Sequence, residues 1–521
     1  MTGPVPRGLT MEFPLTVSAI ARRTKALWAG RRVTGYLTDG SVYHSTYGET
    51  LARADRLAAA LRRLDVRPGD RVATLAWNHH RHLEAYFAVP MLGAVLHTLN
   101  LRLHPDELAY IVSHADDRTI LADRSQLSLL EQFRDRTAIR HVIVMSDVGE
   151  PIAGTLDYEA LLAAEDAPPP YPDLDEHAAA SMCYTSGTTG RPKGVVYSHR
   201  ALTLHSMATA MPGSFGLSET DVVLPAVSMF HANAWGLPYT AALTGAGLVF
   251  PGEHPDPRRL LDLCRSEGVT FSAGVPTVWL GVLEALDAAP PARGVSRLRI
   301  VIGGAAAPDA LIRGLEQRHG IRTMTSWGMT EIAPVGTVRE LPGALLELRV
   351  RNETGLAPWD GLTMGELEVR GAYVAAAYHR PEDDGECFTA DGWFRTGDIA
   401  SIDATGHLHI RDRSKDLIKS GGEWISSVAL EGALMSHPAV AEAAVVAMPH
   451  ARWLERPVAA VVLRAGASVT TAELRAHLGG RFPEWWLPDD VVFVPSIPRT
   501  STGKFLKSAL RDSLRAHFDG I

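Results

Sequence analysis

Residues 178–194 read AAASMCYTSGTTGRPKG, an apolar run over 178–185 that opens into a loop carrying four aliphatic hydroxyls, three glycines and two cations. A strand feeding such a loop belongs to an α/β protein that meets polyanionic oxygen. Glycine lets backbone N–H groups approach phosphate closely, hydroxyls donate to its oxygens, and Lys193 brings a mobile point charge. The alternative is a flexible surface turn. The usual phosphate loop is excluded, because Gly187 is not followed at the required spacing by Gly-Lys-Ser/Thr, and no GxGxxG fingerprint opens the chain. Another nucleotide architecture is required.

The alternation extends outward from this segment. Small and apolar residues recur at helical spacing over 47–64 (YGETLARADRLAAALRRL), and the turn RPGD at 67–70 leads into an apolar strand over 71–75. A helix over 82–93, an apolar run over 94–99, a helix over 106–114 and a strand over 119–121 follow, the rhythm of a parallel sheet covered by helices. The proline-rich stretch APPPYP at 167–172 predicts a linker or surface loop between two α/β layers. Further strands are expected over 222–224, 247–250, 270–274 and 298–303. Near 340–412 the pattern turns β-rich, with short strands over 366–370, 399–402 and 407–410. Beyond DRSKD (412–416) a small α+β pattern begins: helices over 427–435 and 471–481, strands over 440–448, 458–463 and 490–494. The fold class is therefore α/β, with a large N-terminal domain 1–412 of two α/β layers plus the β-rich part, and a small mobile α+β domain 413–521.

Composition limits the function. The 521 residues allow about three domain-sized units, and 46% hydrophobic and 21% charged residues with a mean hydropathy of -0.00 describe a globular chain. A net charge of -8 and pI near 6.2 give no field for nucleic acid. Cys183, Cys264 and Cys387 form no CxxC pair, which points away from a thiolate zinc site and towards a reducing cytosol. Neither a secretion signal nor a membrane span is expected, so the expected location is cytoplasmic.

The loop at 184–194 resembles the phosphate-binding signature of the adenylate-forming superfamily. Five more segments resemble that family in order: GGAAAP (303–308), SWGMTE (326–331), FRTGD (394–398), DRSKD (412–416) and PRTSTGK (498–504). The resemblance implies ATP, Mg2+ and CoA as reaction partners. It places Thr185, Ser186, Gly187, Thr188, Thr189, Gly190 and Lys193 around the phosphates, and Gly304, Ala305, Ala306, Trp327, Gly328, Met329 and Thr330 around the nucleoside. Trp327 would lie against adenine, Asp398 would accept from the ribose hydroxyls and Arg413 would add a donor. Glu331 and the hydroxyl of Thr185 would hold Mg2+, since hard oxygen donors suit that ion. Joining a carboxylate to a phosphate brings two anions together, so cations must neutralise the approach. The resemblance gives that role to Lys504. On composition alone Trp327 reads as core and Lys504 as an exposed lysine.

MFHANAWGLPY (229–239) and GVPTVWLGVLEAL (274–286) resemble the branch of fatty acyl-CoA synthetases. That likeness implies that Trp235 gates an acyl tunnel, that His231 lies beside the carboxylate, and that Tyr239, Gly303 and Gly328 line the acid site; a buried aromatic and a core histidine are the plainer alternatives. It also implies a hinge at Lys415, about which rotation brings Gly422 and Trp424 to a pantetheine channel. WNHHRH (77–82) lacks ligand spacing and reads as a packed or solvated face.

Three departures stand out. The stretch 332–350, IAPVGTVRELPGALLELRV, is shorter than its counterpart in the branch, alanine stands at 305 and 377 where serine and glycine are usual, and Ala429 replaces an acidic residue. The reading is an ATP-dependent ligase that adenylates a medium- to long-chain fatty or arylalkanoic acid and passes it to CoA. The alternatives are the same fold loading a carrier protein or activating nitrite, and a binding module without catalysis. A homodimer is the expected assembly.

Overall fold

The computed structural model describes residues 8–185, 191–253, 255–288, 295–421, 423–500 and 504–519. Among them, two large sheets form the core of the N-terminal part. One has nine strands, in spatial order Leu341–Pro342, Val335–Val338, Arg322–Gly328, Arg299–Gly303, Phe271–Gly274, Val222–Pro225, Gly247–Phe250, Arg32–Tyr36 and Val42–Thr46. The other has seven: Leu156–Asp157, His141–Met145, Thr119–Asp123, Arg71–Leu75, Val95–Thr98, Ala179–Tyr184 and Gly194–Ser198. The interior strands run parallel, and antiparallel pairs occur at the edges. Central strands are covered on both faces, and Thr119–Asp123 is buried at every position.

Local chemistry sets the elements. Helix Tyr47–Arg63 starts at a capping box in which Thr46 and Glu49 satisfy each other's backbone N–H groups, and it buries Leu51, Ala54, Leu57, Ala58 and Leu61. Each such leucine contributes about 1.5–3 kcal/mol by leaving water. Arg53 on this helix reaches across to Glu84 of helix His80–Met91 at 2.7 Å, so that buried carboxylate is paired.

APPPYP does not divide the two layers. Strands on both sides of it are shared: Arg32–Tyr36 pairs with Gly247–Phe250 in the nine-stranded sheet, and Ala179–Tyr184 pairs with Val95–Thr98 in the seven-stranded one. These pairings join segments far apart in sequence, which a linear reading of 167–172 misses.

A five-stranded antiparallel sheet follows (Gly355–Leu356, Leu346–Asn352, Gly365–Gly371, Phe394–Ile402, Leu408–Arg413). The short stretch after Glu331 folds as a tight hairpin, Val335–Val338 against Leu341–Pro342, which extends the nine-stranded sheet. Arg339 and Glu340 both have positive φ, 52° and 68°, the pattern of a two-residue turn matched to strand twist. The Glu340 carbonyl then accepts from Leu408 N, joining the hairpin to the five-stranded sheet.

The C-terminal sheet is built on the hairpin Val440–His450 and Leu454–Leu463. Its alternation is clean: Ala443, Val445 and Ala447 pack on one face with Leu430, Leu434, Leu474 and Leu478, while Ala444, Val446 and Met448 pack on the other with Leu510 and Leu514. Helices Ser427–Met435 and Thr471–Gly479 cover the first face, and helix Lys507–Asp519 covers the second.

Candidate active site

In open α/β sheets, ligands bind beyond the carboxyl ends of parallel strands. Here the ends of Arg299–Gly303 and Arg322–Gly328 deliver Gly304 and Trp327–Gly328, Val222–Pro225 leads to His231, and Ala179–Tyr184 delivers Thr185. Both large sheets therefore open onto one seam. Ser186, Gly187, Thr188, Thr189 and Gly190 lie outside the described residues, as does Gly422.

Asp398 is buried on strand Phe394–Ile402, and its two oxygens are taken separately: Trp327 Nε1–H donates to Oδ2 at 2.8 Å and Arg413 Nε–H to Oδ1 at 2.7 Å. Burial raises the Asp398 carboxyl above its usual range, and Arg413, Trp327 and Lys504 oppose that shift. A β-bulge between Trp327 and Gly328 turns the strand end. Gly328 is fixed by close approach, because a Cβ there would lie 1.9 Å from the Pro334 carbonyl oxygen. Ala305 and Ala306 are exposed on the loop after Gly304, and Met329 N–H donates to Pro334 O. Thr330 is buried, with its carbonyl accepting from Tyr197.

On the phosphate side, Thr185 and Lys193 close the base of the loop: Thr185 N–H donates to Lys193 O at 2.9 Å, and Lys193 N–H to Thr185 Oγ1 at 3.3 Å. Lys193 Nζ donates to the Asp383 carbonyl and stands 4.6 Å from the Tyr378 ring centroid. Glu331, in the short turn Thr330–Ile332, is buried and accepts from Tyr378 Oη at 2.8 Å. Burial raises its carboxyl, against the pull of Tyr378, Arg413 and Lys504.

Lys504 sits among these groups. Its ammonium is lowered to about 8, chiefly by burial and also by Arg413 and Lys415, while Asp398 and Glu331 act in the other direction. Its charge also reaches His231, whose imidazole falls to about 4 mainly through burial. His231 and Thr185 line one small cavity with Asn100, Leu103, Ile111 and Phe230. Two buried carboxylates and a neutral imidazole thus lie within reach of one ammonium.

Trp235 is 8% exposed and packs its ring over two glycines: a Cβ on Gly303 would lie 3.1 Å from it, and one on Gly304 3.8 Å. It ends a run of four non-glycine residues with positive φ, Ala232 to Trp235 at 44–57°. Each costs about 1–2 kcal/mol. Asn233 is held by its side-chain bonds to Ser181 at 3.1 and 3.2 Å, which anchor the strained turn. Tyr239 is placed otherwise than expected. It is wholly buried against Tyr86 and Phe87, and its hydroxyl donates to the Tyr86 carbonyl at 2.9 Å, so its polar end is spent in the core. The histidines of WNHHRH are packed: His79 pairs with Asp123 and caps helix His80–Met91, and His82 bonds Thr74 and the Trp77 carbonyl.

Lys415 follows the last strand of the five-stranded sheet, and burial lowers its ammonium. Trp424 is 41% exposed on the hairpin of Ile418–Ser420 and Glu423–Ile425, with Lys419 over its ring. Two residues that sequence reasoning missed are central. Tyr378 bridges Glu331 and Lys193. Asp412, buried one residue before Arg413, accepts at Oδ2 from Ser427 N and Oγ, each at 2.6 Å, and so satisfies the first N–H of helix Ser427–Met435 beside its N-cap Ser426. The tyrosine at the end of VAAAY and the aspartate of DRSKD were visible as letters, but their partners lie far away in sequence.

Two large sheets meeting at this seam, a five-stranded sheet and a small C-terminal α+β unit make up the adenylate-forming fold. The chain matches the AMP-binding enzyme model over residues 24–379 and the AMP-binding enzyme C-terminal domain over 429–504, and it belongs to the family of AMP-binding enzymes. It is 48% identical to a long-chain-fatty-acid–CoA ligase of Thermus thermophilus, over 98% of this chain and 97% of that one. It is 41% identical to a 3-methylmercaptopropionyl-CoA ligase of Ruegeria lacuscaerulensis (98% and 100% covered) and 40% identical to a medium-chain-fatty-acid–CoA ligase of Ectopseudomonas oleovorans (97% of each). Among solved structures, ATP-bound MatB from Rhodopseudomonas palustris superposes with a TM-score of 0.83 at 26% identity, covering 96% of this chain and 99% of that one.

Proposed function

We propose that the protein is an AMP-forming acyl-CoA ligase for carboxylic acids with an apolar tail, of the medium- to long-chain fatty or arylalkanoic class, acting in a reducing cytosol. The observation that carries this reading is that Lys504 lies within electrostatic reach of Glu331, of Asp398 with its partner Arg413, and of His231, which lines a small cavity together with Thr185. The curated relatives act on CoA, which favours CoA as acceptor over a carrier protein or an amine.

In the first half-reaction, one carboxylate oxygen attacks the α-phosphorus of ATP, the bond to the bridging oxygen breaks, and pyrophosphate leaves. Lys504 neutralises the meeting of the two anions, while Thr185, Lys193 and the loop residues Ser186 to Gly190 hold the phosphates. Asp398 and Arg413 hold the ribose, and Trp327, Gly304, Ala305, Ala306, Gly328, Met329 and Thr330 wall the base. The neutral imidazole of His231 beside the acid donates or accepts a hydrogen bond without adding charge. In the second half-reaction, the CoA thiol loses its proton and attacks the acyl carbon, and AMP leaves with the oxygen that bridged to phosphorus.

The hydroxyl of Thr185 and the carboxylate of Glu331 are hard oxygen donors and fit Mg2+, which would neutralise phosphate charge there. Two arrangements of the last domain serve the two steps, with the boundary at 412/413, the hinge at Lys415, and Gly422 and Trp424 flanking the thiol's approach. Trp235 closes the acid pocket from the side of Gly303. A homodimer is the proposed assembly.

The test is pyrophosphate release with Mg-ATP across fatty, aryl and inorganic acids including nitrite, with and without CoA, followed by product mass spectrometry. Acyl-CoA from one chain-length class is expected. Turnover indifferent to CoA, or requiring nitrite and an amine, contradicts the reading.

A further inference from the structure

Between strands Gly365–Gly371 and Phe394–Ile402 the chain crosses the site, and it is fastened on both sides. Towards Glu331, Ala375 N–H donates to the Glu331 carbonyl at 2.7 Å and Tyr378 Oη to its carboxylate at 2.8 Å. Towards the phosphate loop, His379 N–H donates to the Gly194 carbonyl at 2.8 Å, and the Asp383 carbonyl accepts from Lys193 Nζ. Tyr378 serves both sides at once, since its ring also lies under the Lys193 ammonium. Its own backbone is held by Asp384 Oδ1 at 2.7 Å.

We propose that segment 372–384 is a strap that sets the spacing between Glu331 and Lys193, with Tyr378 as the positioning residue through which the two are registered to the β- and γ-phosphates. The proposal rests on the ligase reading and assigns Tyr378 a role through its contacts with Glu331 and Lys193. Glu331 and Lys193 come from different elements, and among the described residues Tyr378 is the side chain that contacts both. Their common contact is a ring whose hydroxyl faces the carboxylate and whose face meets the ammonium. Losing the hydroxyl removes its bond to the carboxylate; losing the ring also removes the face under the ammonium, which keeps its bond to the Asp383 carbonyl.

The experiment is isothermal titration of the full-length protein with Mg-ATP and, separately, with AMP, for wild type, Tyr378→Phe and Tyr378→Leu. The strap acts only where β- and γ-phosphates sit. Tyr378→Phe should therefore weaken Mg-ATP binding about tenfold, the scale of one hydrogen bond to a charged group, and leave AMP binding unchanged. Tyr378→Leu should weaken Mg-ATP further, again sparing AMP. Should the leucine variant not fold, the phenylalanine variant decides alone, because it keeps the packed ring. Unchanged Mg-ATP affinity in Tyr378→Phe, or an equal loss for AMP and Mg-ATP, overturns the strap while the wild-type affinities stand. Wild-type protein that binds neither nucleotide overturns the ligase reading itself, and the strap with it.

Discussion

Asp398 and Arg413 are directly paired residues of adjacent antiparallel strands, and Arg413 Nε–H donates to Asp398 Oδ1 at 2.7 Å. Arg413 ends its strand, so the carboxylate assigned to the ribose is tied to the point where the chain crosses into the C-terminal unit. The charge-assisted bonds from Arg413 and Trp327 orient both oxygens before any ligand arrives.

Asp398→Asn should raise the KM for ATP about tenfold or more, since a bond from a hydroxyl to a charged acceptor is replaced by a weaker one. The wild type should prefer ATP over 3′-deoxy-ATP, and the variant should lose most of that preference. Steady-state kinetics with both nucleotides checks this; a preserved preference would move the ribose away from Asp398.

Lys504 gives a pH prediction. Its ammonium lies at about 8 instead of 10.5, held down by burial, Arg413 and Lys415 and held up by Asp398 and Glu331, with neutral His231 nearby. The kcat/KM for pyrophosphate release should fall as pH rises through about 8. Lys504→Arg, which stays protonated, should be slower and lack that alkaline limb. The same limb in both proteins would assign the titration elsewhere. For stability the sign is opposite: the unfolded chain holds this proton up to 10.5, so the group's contribution becomes more favourable as pH rises from about 8 towards 10.5.

Trp235→Ala should cost about 3–5 kcal/mol in urea unfolding, as for other buried large-to-small changes. It should also change the chain-length profile of acid activation, because the ring covers Gly303 and Gly304. Lost stability with an unchanged profile would make Trp235 core packing only.

Asp412 spans the joint between the five-stranded sheet and helix Ser427–Met435, where Lys507 also reaches Ser427 Oγ at 2.6 Å and Glu431 at 2.7 Å. Burial raises the Glu431 carboxyl to about 7, with Lys507 opposing. Asp412→Ala should destabilise the protein by about 2 kcal/mol through the lost bonds to Ser427. It should slow adenylation more than thiolysis of supplied acyl-adenylate, because Asp412 ties the strand ending at Arg413 to the first helix of the C-terminal unit that carries Lys504. Equal slowing of both steps would leave Asp412 with a stability role alone.

Most elements were legible where short-range chemistry decides them. Strand Arg71–Leu75 follows an RPGD turn, and helix Ser427–Met435 starts at the cap residue Ser426; both have the bounds expected from sequence. The pairing of Arg32–Tyr36 with Gly247–Phe250, which leaves Val42–Thr46 at the sheet edge, was not legible, since RVTGY carries a weak apolar signal and its parallel partner lies far along the chain. The site letters were readable through family resemblance, whereas their mutual bonds were not. Trp327 was expected to serve adenine, yet its N–H is also committed to Asp398. Tyr239 looked like a site residue beside a recognised motif, and tertiary packing claimed it for the core. Tyr378 has no local pattern, because its meaning comes from Glu331 and Lys193.

The most direct measurement is an isotope experiment on the complete reaction, with an acid carrying 18O in both carboxylate positions, ATP, Mg2+ and CoA, and mass spectrometry of AMP and the thioester. Attack of a carboxylate oxygen on the α-phosphorus puts one 18O into AMP and leaves the other in the thioester carbonyl. Unlabelled AMP, or ADP and phosphate in its place, would contradict an acyl-adenylate and with it the mechanism assigned to Lys504.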